Sequence, residues 1–345
     1  MRSCSISAEN QNRNVIPAKA GTHSQRLLPP PMDPGNESRD DSFRAGLAPR
    51  DMRGTAGCAS ITCAVTAARA ADQPERIVSA GGSTTEVVYA LGAGDKLVGV
   101  DTASLYPAAV TELPNIGYVR QLSAEGLLSL KPDLILAGPE AGPVTALRQA
   151  EGAGANLLQL SAGYTSDTVA THIETLGRAL HREEKAHEIA SAFTSDMEQV
   201  EAEIAEVKTR PRVLFLLQAG RGSMLVSGKG TAANAMIELS GGRNATADFD
   251  GYKPFSPEAA ALAEPDILLM TSDTVEALGG PDAVFAQTAL AMTPAAREKR
   301  LVTMDALYLA GFGPRLAHAM HDLASKFHPE HDFAPLPARP WTQAE

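Results

Sequence analysis

Two segments of this chain, 133 residues apart, carry the same four polar or ring residues at the same spacing. Leu122–Leu136 places Ser123, Glu125, Pro132 and Asp133 as Phe255–Leu269 places Ser256, Glu258, Pro265 and Asp266, and three aliphatic residues follow each aspartate. Each copy has one physical reading. The serine caps a short helix, the glutamate sits in its positive first turn, Pro-Asp breaks it, and the aliphatic run enters a sheet. A chain with this repeat is expected to hold two lobes built on one plan.

The surrounding pattern supports two α/β units. Arg76–Ala80 reads as a strand, followed after Gly81-Gly82 by a helix that Ser83 or Thr84 could cap and that carries Val87, Val88 and Leu91. Lys96–Val100, Asp133–Ala137 and Ala155–Leu160 read as further strands. The second half opens with Arg212–Leu217 and places a helix at Asn234–Leu239. Strands alternating with helices predict an α/β fold, each lobe with a mainly parallel sheet flanked by helices.

Between the halves, residues 167–209 show helical periodicity throughout. Val169, Ile173, Leu176 and Leu180 form one apolar stripe, and Ile189, Phe193, Met197, Val200, Ile204 and Val207 another. A break is expected at His181-Arg182, the first helix belonging to the N-terminal lobe. The second, roughly residues 183–208, would span about 39 Å at 1.5 Å per residue. One long backbone helix joining two lobes leaves a ligand cleft between them. The expected organisation is a leader over 1–71, an N-terminal lobe over 72–165, the connector over 166–209, a C-terminal lobe over 210–330 and a tail over 331–345.

The leader differs in kind. It holds nine Lys/Arg and six Asp/Glu, leaving the body with 21 basic against 35 acidic residues, a net −14. An acidic body argues against nucleic acid, whose phosphates require a basic footprint. Met52-Arg53, the mildly apolar Gly54–Ala67 and Ala68-Arg69-Ala70 describe a secretory signal peptide near 52–70, preceded by a spurious extension. Export to the periplasm is therefore expected. Lipid attachment at Cys58 is the weaker expectation, because Thr55-Ala56-Gly57 lacks the usual large aliphatic residue. No run of 18 apolar residues occurs, so no membrane-spanning segment is expected after processing.

Cys4, Cys58 and Cys63 all lie in the leader, so the body holds no thiolate metal site and no catalytic cysteine. His172, His181 and His187 in the connector and His318, His321 and His328 in the last helix read as exposed helical histidines. His318 and His321 share a helical face, yet no histidine lies between residues 24 and 171, so the first lobe offers no imidazole. Gly228-Lys229-Gly230-Thr231 lacks the frame of a phosphate loop, and no nucleophile elbow or cofactor fingerprint occurs. An enzyme is not expected.

Four motifs carry a family resemblance over about residues 75–328. They are Ile116-Gly117-Tyr118-Val119-Arg120-Gln121-Leu122-Ser123-Ala124-Glu125-Gly126, Gly228-Lys229-Gly230-Thr231-Ala232-Ala233-Asn234-Ala235-Met236, Gly251-Tyr252-Lys253-Pro254 and Gly311-Phe312-Gly313-Pro314-Arg315. The chain resembles the periplasmic binding proteins of ABC importers whose lobes are joined by one backbone helix, those for cobalamin, siderophores and haem. It is most similar to the haem-binding members. On residue pattern alone Tyr118 also reads as a half-exposed loop tyrosine and Arg120 as a solvated charge. The resemblance implies that Tyr118 ligates the iron of ferric haem, a hard cation suited to a phenolate, and Arg120 is the candidate to hydrogen-bond its oxygen. It further implies that Tyr252, Lys253, Tyr308 and Arg221 close the cleft from the C-terminal lobe, with Lys253 and Arg221 toward the haem propionates. Glu125 and Glu258 are expected to dock onto a permease dimer coupled to ATPase subunits, the binding protein itself acting as a monomer. A ferric siderophore or cobalamin is the alternative cargo.

Overall fold

The computed structural model describes residues 73–219 and 223–343. The leader reading and Arg221 lie outside the described residues. Secondary structure begins with β1 (Ile77–Ala80), α1 (Gly82–Ala90), β2 (Leu97–Val100), α2 (Ala124–Ser129), β3 (Leu134–Ala137), α3 (Val144–Gly152) and β4 (Asn156–Gln159). These four strands form a sheet in the order β2-β1-β3-β4, every pairing parallel. β1 and β3 at its centre are buried along their whole length, as continuous Ile/Val/Leu/Ala runs require when both faces are covered. One expectation is corrected here. Helix α1 starts at Gly82, with Gly81 as a cap that contributes no side chain and takes φ 136°, so neither Ser83 nor Thr84 caps it. The backbone turns in the positive-φ region open to glycine and reaches helix earlier than a side-chain cap would allow.

Helices α4 (Ser166–Ala179) and α5 (Glu183–Glu206) follow, broken at His181-Arg182 as the periodicity predicts. They pack tightly: Gly177 of α4 leaves no room for a Cβ against Ala186 of α5. The 24 residues of α5 give about 36 Å at 1.5 Å per residue. It ends two residues before the predicted 208, because Val207 turns to extended backbone ahead of Pro211. Ile189, Phe193, Met197, Val200 and Ile204 are all buried and belong to one continuous core that includes Ile77 and Val88 on one side and Val213 and Ile267 on the other.

The second half comprises β5 (Arg212–Ala219), β6 (Ser223–Ser227), α6 (Ala232–Leu239), β7 (Arg243–Asn244), β8 (Tyr252–Pro254), α7 (Pro257–Ala263), β9 (Ile267–Thr271), α8 (Ser272–Ala277), α9 (Pro281–Phe285), α10 (Thr288–Ala291), α11 (Pro294–Arg297), β10 (Leu301–Met304), α12 (Ala306–Ala310) and α13 (Leu316–Phe327). Its sheet runs β10-β9-β5-β6-β8 with β7 beside β5. β9, β10 and β7 pair in parallel, whereas β6 and β8 join antiparallel, so this sheet is mixed.

The sequence repeat proves to be a structural device. The Asp133 carboxylate accepts the backbone N–H groups of Glu75 and Arg76 at 2.9 and 3.1 Å, just before β1. Asp266 accepts that of Arg212 at 2.8 Å, at the start of β5. Each aspartate thereby fixes the register of the strand that follows it on the first strand of its lobe: Ile77 faces Leu134, and Val213 faces Ile267. Ser123 and Ser256 cap α2 and α7 through the N–H groups of Gly126 and Ala259. Even the residues before the two prolines match, Lys131 and Glu264 both taking positive φ (49° and 40°).

Of the six histidines read as exposed, only His187 is; His181, His318 and His321 are partly buried, and His172 and His328 are buried. His172 is buried and meets the Ser161 carbonyl at 3.0 Å. His328 is wholly buried, its Nε2 lying 3.2 Å from the Gly241 carbonyl. Burial disfavours the imidazolium and lowers the pKa of both.

Candidate ligand cleft

In a parallel α/β sheet the crevice forms at the carboxyl ends of the strands, where the loops leave toward the helices. The loop after β2 carries Tyr118. The Asn115 side chain accepts the N–H of Gly117 at 2.7 Å, and Gly117, with φ 98°, makes the turn that a side chain would strain. Ile116, Val119 and Leu122 are buried and pin the loop, while Tyr118 and Arg120 between them point outward. Tyr118 stays 45% exposed, available to a ligand.

The loop after β3 is zipped onto this one. Gly142 N–H donates to the Val119 carbonyl and Leu122 N–H to the Gly142 carbonyl, each at 2.8 Å. That pairing brings Glu140 to Arg120, whose Nη2 and Nε donate to the same carboxylate oxygen at 2.6 and 3.2 Å. Glu140, helped by the nearby phenols of Tyr118 and Tyr164, holds the guanidinium charged against the pull of burial.

Tyr164, on the loop between β4 and α4, turns its ring onto Phe312 of the second half, with centroids 5.1 Å apart. Burial pushes its phenol up, Glu140 adds to the effect and Arg120 opposes it. Tyr252 on β8 feels Tyr164 as well as Glu140 and Arg120: burial raises its phenol first, then Tyr164 and Glu140, with Arg120 and a Thr231 hydrogen bond pulling the other way. Tyr118, Arg120, Glu140, Tyr164 and Tyr252 thus form one electrostatic neighbourhood contributed by both halves.

The remaining predicted residues are placed elsewhere. Lys253 neighbours Tyr252 on the strand and so points to the opposite face, its ammonium 4.5 Å from the Phe249 ring centroid. The hydroxyl of Tyr308 donates to Asp322 at 3.0 Å and its ring lies 5.0 Å from the Arg315 guanidinium, so the structure does not bring it to the Tyr118 group. Its phenol is pushed well above the ordinary range, chiefly by burial and by Asp322. Glu125 and Glu258 stand exposed in the first turns of α2 and α7. Sequence reasoning missed Glu140 and Tyr164. Both follow parallel strands at their carboxyl ends, a position the strand–helix alternation already marked. Among the described residues, no cluster of three or more His, Cys, Asp or Glu side chains could hold a metal ion, and no helix is long and apolar enough to cross a membrane.

The profile of a family described as Periplasmic binding protein matches residues 77–308. The chain belongs to that family. A solved periplasmic heme-binding protein of the same architecture, RhuT from Roseiflexus sp. RS-1 in apo form, is 38% identical with a TM-score of 0.71, covering 74% of this chain and 98% of that one. YvrC of Bacillus subtilis (strain 168), described as an uncharacterized ABC transporter substrate-binding lipoprotein, is 30% identical over 75% of this chain and 81% of its own. A vitamin B12-binding protein of Yersinia pestis (strain Pestoides F) is 30% identical over 64% of this chain and 79% of its own. Family members named for different cargoes share the fold, so the cargo is set by the side chains of the cleft.

Proposed function

We propose that this protein captures ferric haem in the periplasm and delivers it to the permease of an ABC importer. The observation that carries the reading is Tyr118, a half-exposed phenol on a loop pinned by Ile116, Val119 and Leu122, beside the Arg120–Glu140 pair. Ferric iron is a hard cation that favours an anionic oxygen such as a phenolate. Tyr118 supplies the ligand, with Arg120 two residues on and held by Glu140. Tyr164 and Tyr252 provide aromatic surface suited to a flat, largely apolar ring. The similarity to RhuT supports haem over the other cargoes of the family. Lys253 and Tyr308, which the structure turns away from the Tyr118 group, are left out of the proposed contact set. Glu125 and Glu258, each in the first turn of a repeated helix, are the proposed docking points for the two permease subunits, whose ATPases drive release. The protein works as an exported monomeric carrier and performs no chemistry on its cargo.

The decisive experiment is a haemin titration of the purified protein followed by absorption, with cyanocobalamin and a ferric hydroxamate siderophore as competitors and Tyr118→Ala alongside. A saturable Soret band with a tyrosinate charge-transfer signature, lost in the variant, supports the reading. Tight binding of either competitor with no saturable haemin band overturns haem as the cargo.

A further inference from the structure

The chain past α13 does not end as a loose tail. It doubles back along α5 in the opposite direction. Ala334 N–H donates to Glu203 at 2.8 Å, near the C-terminal end of that helix, and Arg339 reaches Asp196, two turns earlier. The Arg339 guanidinium donates to both Asp196 oxygens, at 2.9 and 2.6 Å. Asp196 lies on the long helix and is only 2% exposed. A carboxylate buried on a helix flank costs several kcal/mol unless paired, and Arg339 is the partner. Phe333 is buried in the main core, and Leu336 and Trp341 pack against it.

The segment finishes where the halves meet. Trp341 donates its indole N–H to the Pro314 carbonyl at 3.2 Å, and its own carbonyl accepts the Tyr106 hydroxyl at 3.3 Å. Tyr106 comes from the loop after β2, whereas Pro314 precedes α13. The same Tyr106 ring lies 3.7 Å from the guanidinium of Arg315, which grips Glu86 of α1. Trp341 therefore touches both halves at once, beside an ion pair that already joins them.

We propose that residues 333–342 form a further non-covalent crossing between the lobes, and that Arg339 and Trp341 are the positioning residues through which this strap sets the width of the cleft. Helix α5 fixes the lobes along one line, and the Arg315–Glu86 pair ties them at one further point. A strap anchored on the flank of α5 and wedged between Tyr106 and Pro314 adds resistance to rocking about the helix axis. The proposal does not depend on which cargo the cleft takes.

The test uses the full chain with Cys4, Cys58 and Cys63 replaced by serine and cysteines placed at the exposed positions Glu151 and Glu276 for spin labels, one on each lobe. Electron-electron resonance without ligand reads the lobe separation. Trp341, the chain's single tryptophan, reports strap attachment by its emission and acrylamide quenching. Arg339→Ala should shift emission to the red, raise quenching and broaden the distance distribution. Trp341→Ala should broaden it likewise. A distribution unchanged from the parent in Arg339→Ala, although quenching shows Trp341 released, overturns the proposal. Should Arg339→Ala fail to fold, Arg339→Lys, which keeps the charge but loses the paired donation, is read against the same two outcomes.

Discussion

Arg315 donates from Nε and Nη2 to the two carboxylate oxygens of Glu86 at 2.8 and 2.6 Å, joining residues 229 positions apart, one from each half of the molecule. Both side chains are largely buried, the carboxylate more than the guanidinium. Burial pushes the Glu86 carboxyl up, and Arg315 works against that shift. A pair of this kind contributes little net stability compared with an apolar pair of the same volume, yet removing one partner leaves a stranded charge. Glu86→Gln and Arg315→Met should each cost about 3–5 kcal/mol. The double replacement should recover much of that loss. Chemical denaturation of the three variants measures it, and strictly additive losses would refute the coupling.

The twin aspartates should be energetically twin. Asp133→Asn and Asp266→Asn each convert charge-assisted bonds to the first strand of a lobe into neutral ones, at a cost of roughly 1–2 kcal/mol. Denaturant midpoints should fall by similar amounts in the two variants. A large loss in one and none in the other would mean that the repeated motif has different roles in the two lobes.

Acid should loosen the fold through two imidazoles. His172 and His328 have folded pKa values lowered from an ordinary 6.5 by burial, so folding favours their neutral forms. Their contribution is fully present above that value and is lost as pH falls from it through the folded pKa values. Thermal midpoints measured from pH 7.5 down to 5 should drop, and His328→Gln should flatten part of the slope. A curve as steep in the variant as in the parent would exclude His328 as a source.

Within the cleft the tyrosines should separate by role. Tyr118→Phe removes the oxygen that meets iron and should abolish the charge-transfer band, with a haemin affinity loss of at least about tenfold, or 1.4 kcal/mol. Tyr252→Phe keeps the ring and should leave the band in place with a smaller loss. If the band follows Tyr252 instead, the ligand sits on the other lobe.

Docking should separate from binding. Reversal of both Glu125 and Glu258 to lysine should abolish cargo uptake by cells or reconstituted transporter while haemin affinity stays within about twofold, or 0.4 kcal/mol. Unchanged uptake would assign these glutamates to their helix ends alone.

What could be read in the sequence was what is local or repeated. Ser123 and Ser256 declare their helices within three residues, and Asp133 and Asp266 announce themselves by recurrence. The apolar stripe of α5 gives its length to within two residues at one end. Tyr118 was legible only because its motif resembles a known family. The partners of Arg120, Asp196 and Glu86 were not legible. Arg120 meets Glu140 because two loops are zipped by backbone bonds, and Asp196 meets Arg339 across 143 residues, where neither spacing nor composition carries a signal. Lys253 illustrates the converse: it adjoins Tyr252 in the motif, but strand alternation sends it to the other face.

The matched aspartates also bear on how the chain reaches its native form. Asp133 secures Arg76 across 57 residues and Asp266 secures Arg212 across 54. The entropy of closing a loop grows only with the logarithm of its length, so the two closures differ by less than about 0.1 kcal/mol. These two closures therefore give neither lobe a head start, and the lobe carrying Tyr118 precedes the other along the chain.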